Sequence, residues 1–236
     1  MANEENDLYP FMDELIVVLD YMKSGHVYLV IDEVSTDNTL KLCRELSGRD
    51  SRFDVLWAPE NRNIVDAYLR GYREALKKGH EIIIEMDAGL SHDPRALPMF
   101  LRVLNEGNDC AFGSRFINGG SMVDSPFKRR LLSWGGTFLA NFLLGTRMCD
   151  MTSGFQGFHA SIVKAFIDFP FQSKAHFYQT ELRYLLRRTK YMEVPIHYKA
   201  PSPRVSSHAI SNSFSTLFHY ALKRCLFQSV EIEGRK

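Results

Sequence analysis

The feature that most constrains this chain is an alternation: short apolar, β-branched runs, two of which stop at an acidic residue, give way to helix-length amphipathic stretches. Residues 26–31 (HVYLVI) end in Asp32-Glu33, and residues 81–86 (EIIIEM) end in Asp87. Residues 53–58 read as a further strand. Phe11, Leu15, Val18 and Met22 recur at helical spacing, with Gly25 as a stop. Ser35 or Thr36 is the expected cap of a helix carrying Leu40, Cys43 and Leu46, ended by Gly48. A helix over residues 64–78 places Ile64, Tyr68, Tyr72 and Ala75 on one face, and another covers 94–104. Strands alternating with helices of about 10–15 residues predict an α/β fold with a mostly parallel central sheet flanked by helices. In such folds ligands bind beyond the carboxyl ends of the strands, so Asp32 and Asp87 are expected to face one cleft.

The second half is less regular. A strand is expected over residues 110–116, then Gly119-Gly120, a helix over 129–144, and a glycine-rich turn at Ser153-Gly154-Phe155. A helix over 177–188, a strand over 192–198 and a last helix over 210–227 complete the pattern. No internal repeat or Pro/Gly/Ser-rich linker divides the chain, so residues 1–236 are expected to form a single domain. Its 29 Lys plus Arg nearly balance 28 Asp plus Glu, which argues against a nucleic-acid binder. The longest apolar runs, such as residues 15–19, fall far short of the roughly 20 residues that span a bilayer. No secretory signal is recognisable, and the four scattered cysteines lack metal or redox spacing. A reduced, cytoplasmic enzyme is the expectation.

Carboxylates at neighbouring strand tips suit a nucleotide diphosphate with Mg²⁺ or Mn²⁺, because hard cations take oxygen ligands. By themselves, Asp32 and Glu33 are equally well explained as a turn or capping pair, whereas an acid closing an Ile-Ile-Ile strand has little structural purpose without a ligand. His92 and His176 read as loop or surface residues, and Phe155, Phe158 and Phe177 as core. Lys128, Arg129 and Arg130 precede the apolar stretch 138–144, a pattern that fits either a solvated helix start or an anionic membrane contact.

The ordered motifs carry more. Asn3-Glu4-Glu5, the segment 31–37 (IDEVSTD) and Met86-Asp87-Ala88-Gly89 resemble the nucleotide-binding half of a family 2 glycosyltransferase, with its GT-A (Rossmann-like) fold. Gly113-Ser114-Arg115-Phe116, the segment 129–133 (RRLLS), 150–155 (DMTSGF), 177–182 (FYQTEL) and 193–196 (EVPI) narrow the resemblance to the dolichyl- or polyprenyl-phosphate hexose synthases. The resemblance covers roughly residues 2–208, with a nucleotide-sugar half to about 110, an acceptor half to about 208 and a C-terminal helix and tail. It implies that Asp32, Glu33 and Glu4 contact the base and ribose of the donor and that Asp87 holds the cation. It likewise implies that Arg115 and Arg130 grip the acceptor phosphate and that Gln179 or Glu181 lines the sugar and acceptor site. The implied partners are a nucleotide diphosphate sugar and a lipid-linked phosphate, at the cytoplasmic face of a membrane with peripheral contact. Whether small membrane subunits anchor the chain stays open.

Three departures from the family pattern matter. Gly89 stands where the second Asp of the Asp-x-Asp metal motif belongs, so Glu85, Ser91 or Asp93 is expected to supplement Asp87. The family's Gly-x-Ser-Lys segment is replaced by residues 203–208 (PRVSSH), leaving Arg204 as the donor-phosphate contact and His208 in place of the lysine. Only Met1-Ala2 precedes Asn3, where the family has an apolar strand; the expectation is either a start set too late or a compensating fold. Two alternatives stand beside the leading reading. One is transfer to a sugar hydroxyl, for which Glu181 or Asp150 is the candidate general base; the other is a non-catalytic nucleotide-binding relative.

Overall fold

The structure, a computed structural model, describes residues 1–122, 125–199 and 207–235. Arg204 and the side chain of His208 lie outside the described residues, so the donor-phosphate expectation for that segment rests on sequence alone.

The first half follows the anticipated alternation: α1 (Leu8–Met22), β1 (Val27–Ile31), α2 (Thr39–Arg49), β2 (Phe53–Trp57), α3 (Ile64–Lys77) and β3 (Ile82–Glu85). α1 buries Leu8, Phe11, Met12, Leu15, Val18 and Leu19, the i, i+3, i+4 set of one helical face, and ends where Lys23 turns left-handed at φ 55°. α3 is capped by Asn63, whose side-chain oxygen accepts from the amides of Val65 (3.0 Å) and Asp66 (3.3 Å). A short 3₁₀ turn (Pro94–Ala96) leads into α4 (Leu97–Asn105), followed by β4 (Cys110–Ser114) and α5 (Phe127–Leu144). Then come β5 (Gln156–His159), α6 (Ala160–Phe166), α7 (Tyr178–Leu185), β6 (Tyr191–Pro195) and α8 (Ser207–Cys225).

β1 and β2 form a parallel pair, in register Val27 to Phe53. The other strands form a sheet of order β3-β5-β4-β6, in which β5 runs against its two neighbours and β4 pairs parallel with β6. β3, β4 and β6 therefore share one direction. β1 and β3 are edges of their two sheets, and α3 packs against both. Met1 lies beside β1, its amino group donating to the carbonyl of Val30 at 2.6 Å. One core gathers the inner faces of α3, α5, α6, α7 and α8, and a second gathers α1, α2 and α4.

The sequence reading differs from the fold in two places. α2 starts at Thr39 rather than beside Ser35 or Thr36, because those hydroxyls are used by the preceding loop. The sequence pattern predicts neither β5 nor α6. β5 is four residues with a central glycine, and a Cβ at Gly157 would stand 3.2–3.3 Å from Ile84, Leu104 and Phe100. The strand is specified by the room its neighbours leave, which gives no pattern along the chain. Among the described residues, no helix is long and apolar enough to cross a membrane.

Candidate active site

The Asn3-Glu4-Glu5 motif and the loop after β1 form one hydrogen-bonded knot. The Asn3 side chain donates to the carbonyl of Val34 (3.2 Å) and accepts from the amide of Thr36 (2.9 Å). Asp37 accepts from the amide of Glu5 (3.0 Å), and Glu5 accepts from the side chain of Asn38 (2.8 Å). Asn3 holds φ 58°, a left-handed conformation that Asn tolerates better than most residues. The knot fixes the Glu4 backbone against the start of α2, its amide donating to Oγ1 of Thr39 at 2.8 Å. The Met1 ammonium lies in the field of Asp32, Glu4 and Asp87, and burial outweighs that attraction to lower its pKa. Burial likewise raises the pKa of Glu4. Glu33, one residue further along, is exposed.

Asp87, just past the end of β3, is held from three sides. Tyr68 on α3 donates its hydroxyl to the carboxylate at 2.5 Å, and Gln179 on α7 donates in turn to Tyr68 at 3.3 Å. The Asp87 amide donates to Nδ1 of His92 at 3.1 Å. Burial lowers the pKa of His92, so the ring is a neutral acceptor, and it stacks on Phe155 with centroids 5.2 Å apart. His92 is thus buried behind the acid rather than on the surface. The third wall is Gly154: a Cβ there would stand 3.1 and 3.2 Å from the Asp87 oxygens and 3.3 Å from Nε2 of Gln179.

Gly89, the missing second carboxylate, has φ +84°, and a Cβ on it would lie 2.8 Å from Oε2 of Glu4. The Glu4 carboxylate occupies the space into which a side chain at 89 would project. Among the described residues, no three His, Cys, Asp or Glu side chains form a ready-made cage. The carboxylates of Asp87 and Glu4 fit Mg²⁺ or Mn²⁺, which commonly binds through one or two carboxylates plus substrate phosphates.

Several sequence-chosen residues are engaged elsewhere. Glu85 is not a cation ligand here: it is buried in the sheet, accepts from Gln156 at 2.5 Å and from the Tyr72 hydroxyl, and burial pushes its pKa up to about 8. Asp93 accepts both Nε (2.9 Å) and Nη2 (2.6 Å) of Arg95, starting the 3₁₀ turn. Ser91 remains half-buried on the Asp87 loop, its carbonyl accepting from the amide of Lys199 at 3.1 Å.

Arg115 is not a free phosphate clamp. Only 6% exposed, it forms a two-pronged bridge to Asp150, Nε to Oδ2 at 2.7 Å and Nη2 to Oδ1 at 2.8 Å, and also donates to Thr152 at 2.5 Å. Asp150 is fully buried, which by itself would raise its pKa, but the charge and hydrogen bonds of Arg115, the nearby Arg183 and the Thr152 amide together draw it down to about 2. That makes Asp150 too weak a base for proton abstraction at neutral pH. Glu181 is also withdrawn: its carboxylate accepts from the amides of Gln172 and Ser173, both at 2.8 Å, and from Tyr220 on α8 at 2.6 Å. Arg130 is exposed on the first turn of α5. Its neighbour Arg129 reaches the Tyr198 hydroxyl at 3.3 Å, and Arg115 lies across the same ring, so this turn adjoins the Arg115 site.

The structure adds two residues that sequence reasoning missed. Arg183, completely buried, donates to the carbonyls of Gly113 and Ser153, each at 3.0 Å, and to that of Asp150; burial lowers its pKa to about 10. Tyr68 is the other: its helical spacing predicts only a core position. The signal for Arg183 was present: α7 (YQTELRYL) offers no consistent polar face, and all eight of its residues are buried.

The family model for glycosyl transferase family 2 matches residues 2–167. The chain belongs to that family. Undecaprenyl-phosphate mannosyltransferase from Micrococcus luteus is 31% identical over 172 residues, covering 72% of this chain and 70% of the relative. Polyprenol monophosphomannose synthase from Mycolicibacterium smegmatis is 31% identical over 196 residues, covering 82% and 74%. Glucosyl-3-phosphoglycerate synthase from Mycobacterium tuberculosis, solved with Mn²⁺, uridine diphosphate and phosphoglyceric acid, superposes with a TM-score of 0.62 at 15% identity, covering 97% of this chain and 75% of that one. The fold of this family 2 chain is accordingly GT-A-like, with helices flanking its sheets.

Proposed function

We propose that this chain transfers a hexose of the mannose or glucose class, with inversion, from a nucleoside diphosphate sugar to a polyprenyl or dolichyl phosphate. The observation that carries the reading is the Asp87 carboxylate, oriented by Tyr68 and walled by Gly154 and Gln179, in a family 2 chain whose relatives are named for polyprenyl-phosphate mannosyl transfer. Asp32, Glu33 and Glu4 would form the donor side, with Glu33 exposed to solvent and available to the nucleoside. Asp87 and Glu4 would hold Mg²⁺ or Mn²⁺. When bound, the cation neutralises the charge that grows on the departing diphosphate.

The chain's own residues set up the rest. Tyr68 and the His92-bound backbone keep the Asp87 oxygens turned toward the donor, and Gln179 keeps the Tyr68 hydroxyl in place. A phosphate monoester acceptor has a second pKa near 6, so it arrives ionised and needs no general base. This matches a site whose two candidate bases, Asp150 and Glu181, are committed to structure. A sugar hydroxyl acceptor would need such a base and is disfavoured for that reason. Arg130, beside Arg129 on the exposed first turn of α5, is the acceptor-phosphate contact; Arg115 positions the segment behind it. The protein works at the cytoplasmic face of a membrane, in peripheral contact.

The test is a thermal-shift panel of nucleotide sugars with and without Mn²⁺, followed by transfer assays offering polyprenyl phosphate and soluble sugars in competition. Stabilisation by one donor, and label appearing only in the prenyl phosphate, is expected. Label in a soluble sugar, or no turnover of any donor, overturns the assignment.

A further inference from the structure

Exposed large apolar side chains are concentrated on two helices that pack against each other. On α5 they are Phe127, Leu131, Trp134, Phe138 and Phe142, spaced i, i+4, i+7, i+11 and i+15. Trp134, Phe138 and Phe142 stack in a ladder, with centroids 6.1 and 6.4 Å apart. On α8, Ile210, Phe214, Phe218 and Leu222 repeat at every fourth position, and Leu226 and Phe227 follow just past the helix end. Phe138 is 62% exposed, Phe142 70%, Phe218 62% and Leu222 61%.

The opposite faces of both helices, with Ala140 and Leu144 of α5 and Leu217 and Tyr220 of α8, enter one core, so the two stripes look outward from it. Near their ends, Arg224 of α8 donates to the carbonyl of Leu143 at 3.1 Å. Neither helix contains an Asp or Glu, while together they carry Lys128, Arg129, Arg130, Lys223 and Arg224. In a chain whose charges otherwise nearly balance, this makes the pair of helices basic and aromatic, with no acid of their own. That combination suits the interfacial layer of an anionic bilayer, where aromatic rings lie among headgroups and Lys and Arg meet lipid phosphates.

We propose that the outer faces of α5 and α8 dock together, in the plane of the interface, on an anionic lipid membrane. The face is continuous with the candidate site: Ser133 of α5 accepts from Arg115 at 3.5 Å, and Thr137 accepts from the amide of Met151 at 3.1 Å. Docking through α5 therefore brings its basic first turn to the layer that contains a lipid-linked phosphate. The inference deepens the polyprenyl-phosphate reading and rests on it for its purpose, but its test needs neither donor nor acceptor.

In a Trp57→Phe background, Trp134 alone reports on the face. Phosphatidylcholine vesicles with and without phosphatidylglycerol are titrated in the absence of acceptor, donor and cation. With the anionic vesicles, a blue shift of Trp134 emission and co-flotation are expected. Lys128→Ala and Lys223→Ala should each weaken that binding about fivefold, the equivalent of about 1 kcal/mol per surface charge. Phe218→Ser with Leu222→Ser should abolish it without lowering Tm, because both side chains are already exposed.

Absence of both shift and flotation overturns the proposal. So does a dimer in light scattering that the α8 double variant disperses, because a second copy would then own the face. Vesicle binding without hexose transfer in the competition assay supports the docking face and refutes the reaction. Transfer to a water-soluble prenyl phosphate without vesicle binding does the reverse.

Discussion

Restoring the family's second carboxylate is the perturbation that discriminates most sharply, because the structure says it should fail. In Gly89→Asp the new Cβ would stand 2.8 Å from Oε2 of Glu4, closer than non-bonded atoms approach, at a φ of +84°. Holding a side chain in that backbone region costs about 1–3 kcal/mol. The Glu4 carboxylate must also move aside or face a second negative charge at close range, so the knot that fixes residues 3–5 is strained. Gly89→Asp alone should therefore lower Tm and leave Mn²⁺ affinity no better than in the parent. Glu4→Ala alone should weaken Mn²⁺ binding by removing one of the two carboxylates. The pair Glu4→Ala, Gly89→Asp should recover much of both losses, with a coupling energy of about 0.5–3 kcal/mol. Calorimetric titration with Mn²⁺, alongside thermal melts, completes the cycle. If Gly89→Asp by itself raises Mn²⁺ affinity and leaves Tm intact, Glu4 does not occupy the place of the missing carboxylate.

Two further changes separate structure from chemistry. Asp150→Asn leaves Arg115 buried without its counter-charge and should destabilise by about 3–5 kcal/mol in denaturant melts at neutral pH. The folded pKa of Asp150 lies near 2, below the ordinary 3.8, so its contribution of about 2 kcal/mol is present above pH 4 and lost as pH falls toward 2; the variant should not show that acid limb. Gly154→Ala places a methyl 3.1–3.3 Å from the Asp87 oxygens and Gln179, enough to shift them by tenths of an ångström. It should reduce kcat/KM roughly tenfold or more while Tm changes little, and equal losses in both would place Gly154 in structure only.

What the chain disclosed in advance, and what it hid, follows from where the determinants lie. β1, β2 and β3 carry their own periodicity and α3 its own periodicity and Asn63 cap, so 26–31, 53–58 and 64–78 were legible almost to the residue. Asp87 was legible because an acid closing an Ile-rich strand has no local reason to be there. β5 was not, because a Gln-Gly-Phe-His segment becomes a central strand only when β3 and β4 leave it a slot. The commitments of Arg115 and Glu181 were hidden for a related reason. An arginine in a Gly-Ser-Arg motif reads as a free clamp until its partner, 35 residues away, closes on it. Glu4 and Gly89 are 85 positions apart, and their mutual exclusion exists only in three dimensions.

The account stands on Asp87 joining a nucleoside diphosphate to the protein through a cation. Calorimetric titration of uridine and guanosine diphosphates into the protein, with Mn²⁺ or with a chelator, and repeated on Asp87→Asn, addresses it most directly. One diphosphate should bind with Mn²⁺ and lose at least most of that affinity with chelator or with the variant, while the variant melts at the parent temperature. Binding that is indifferent to both the cation and residue 87 would contradict the account at its base.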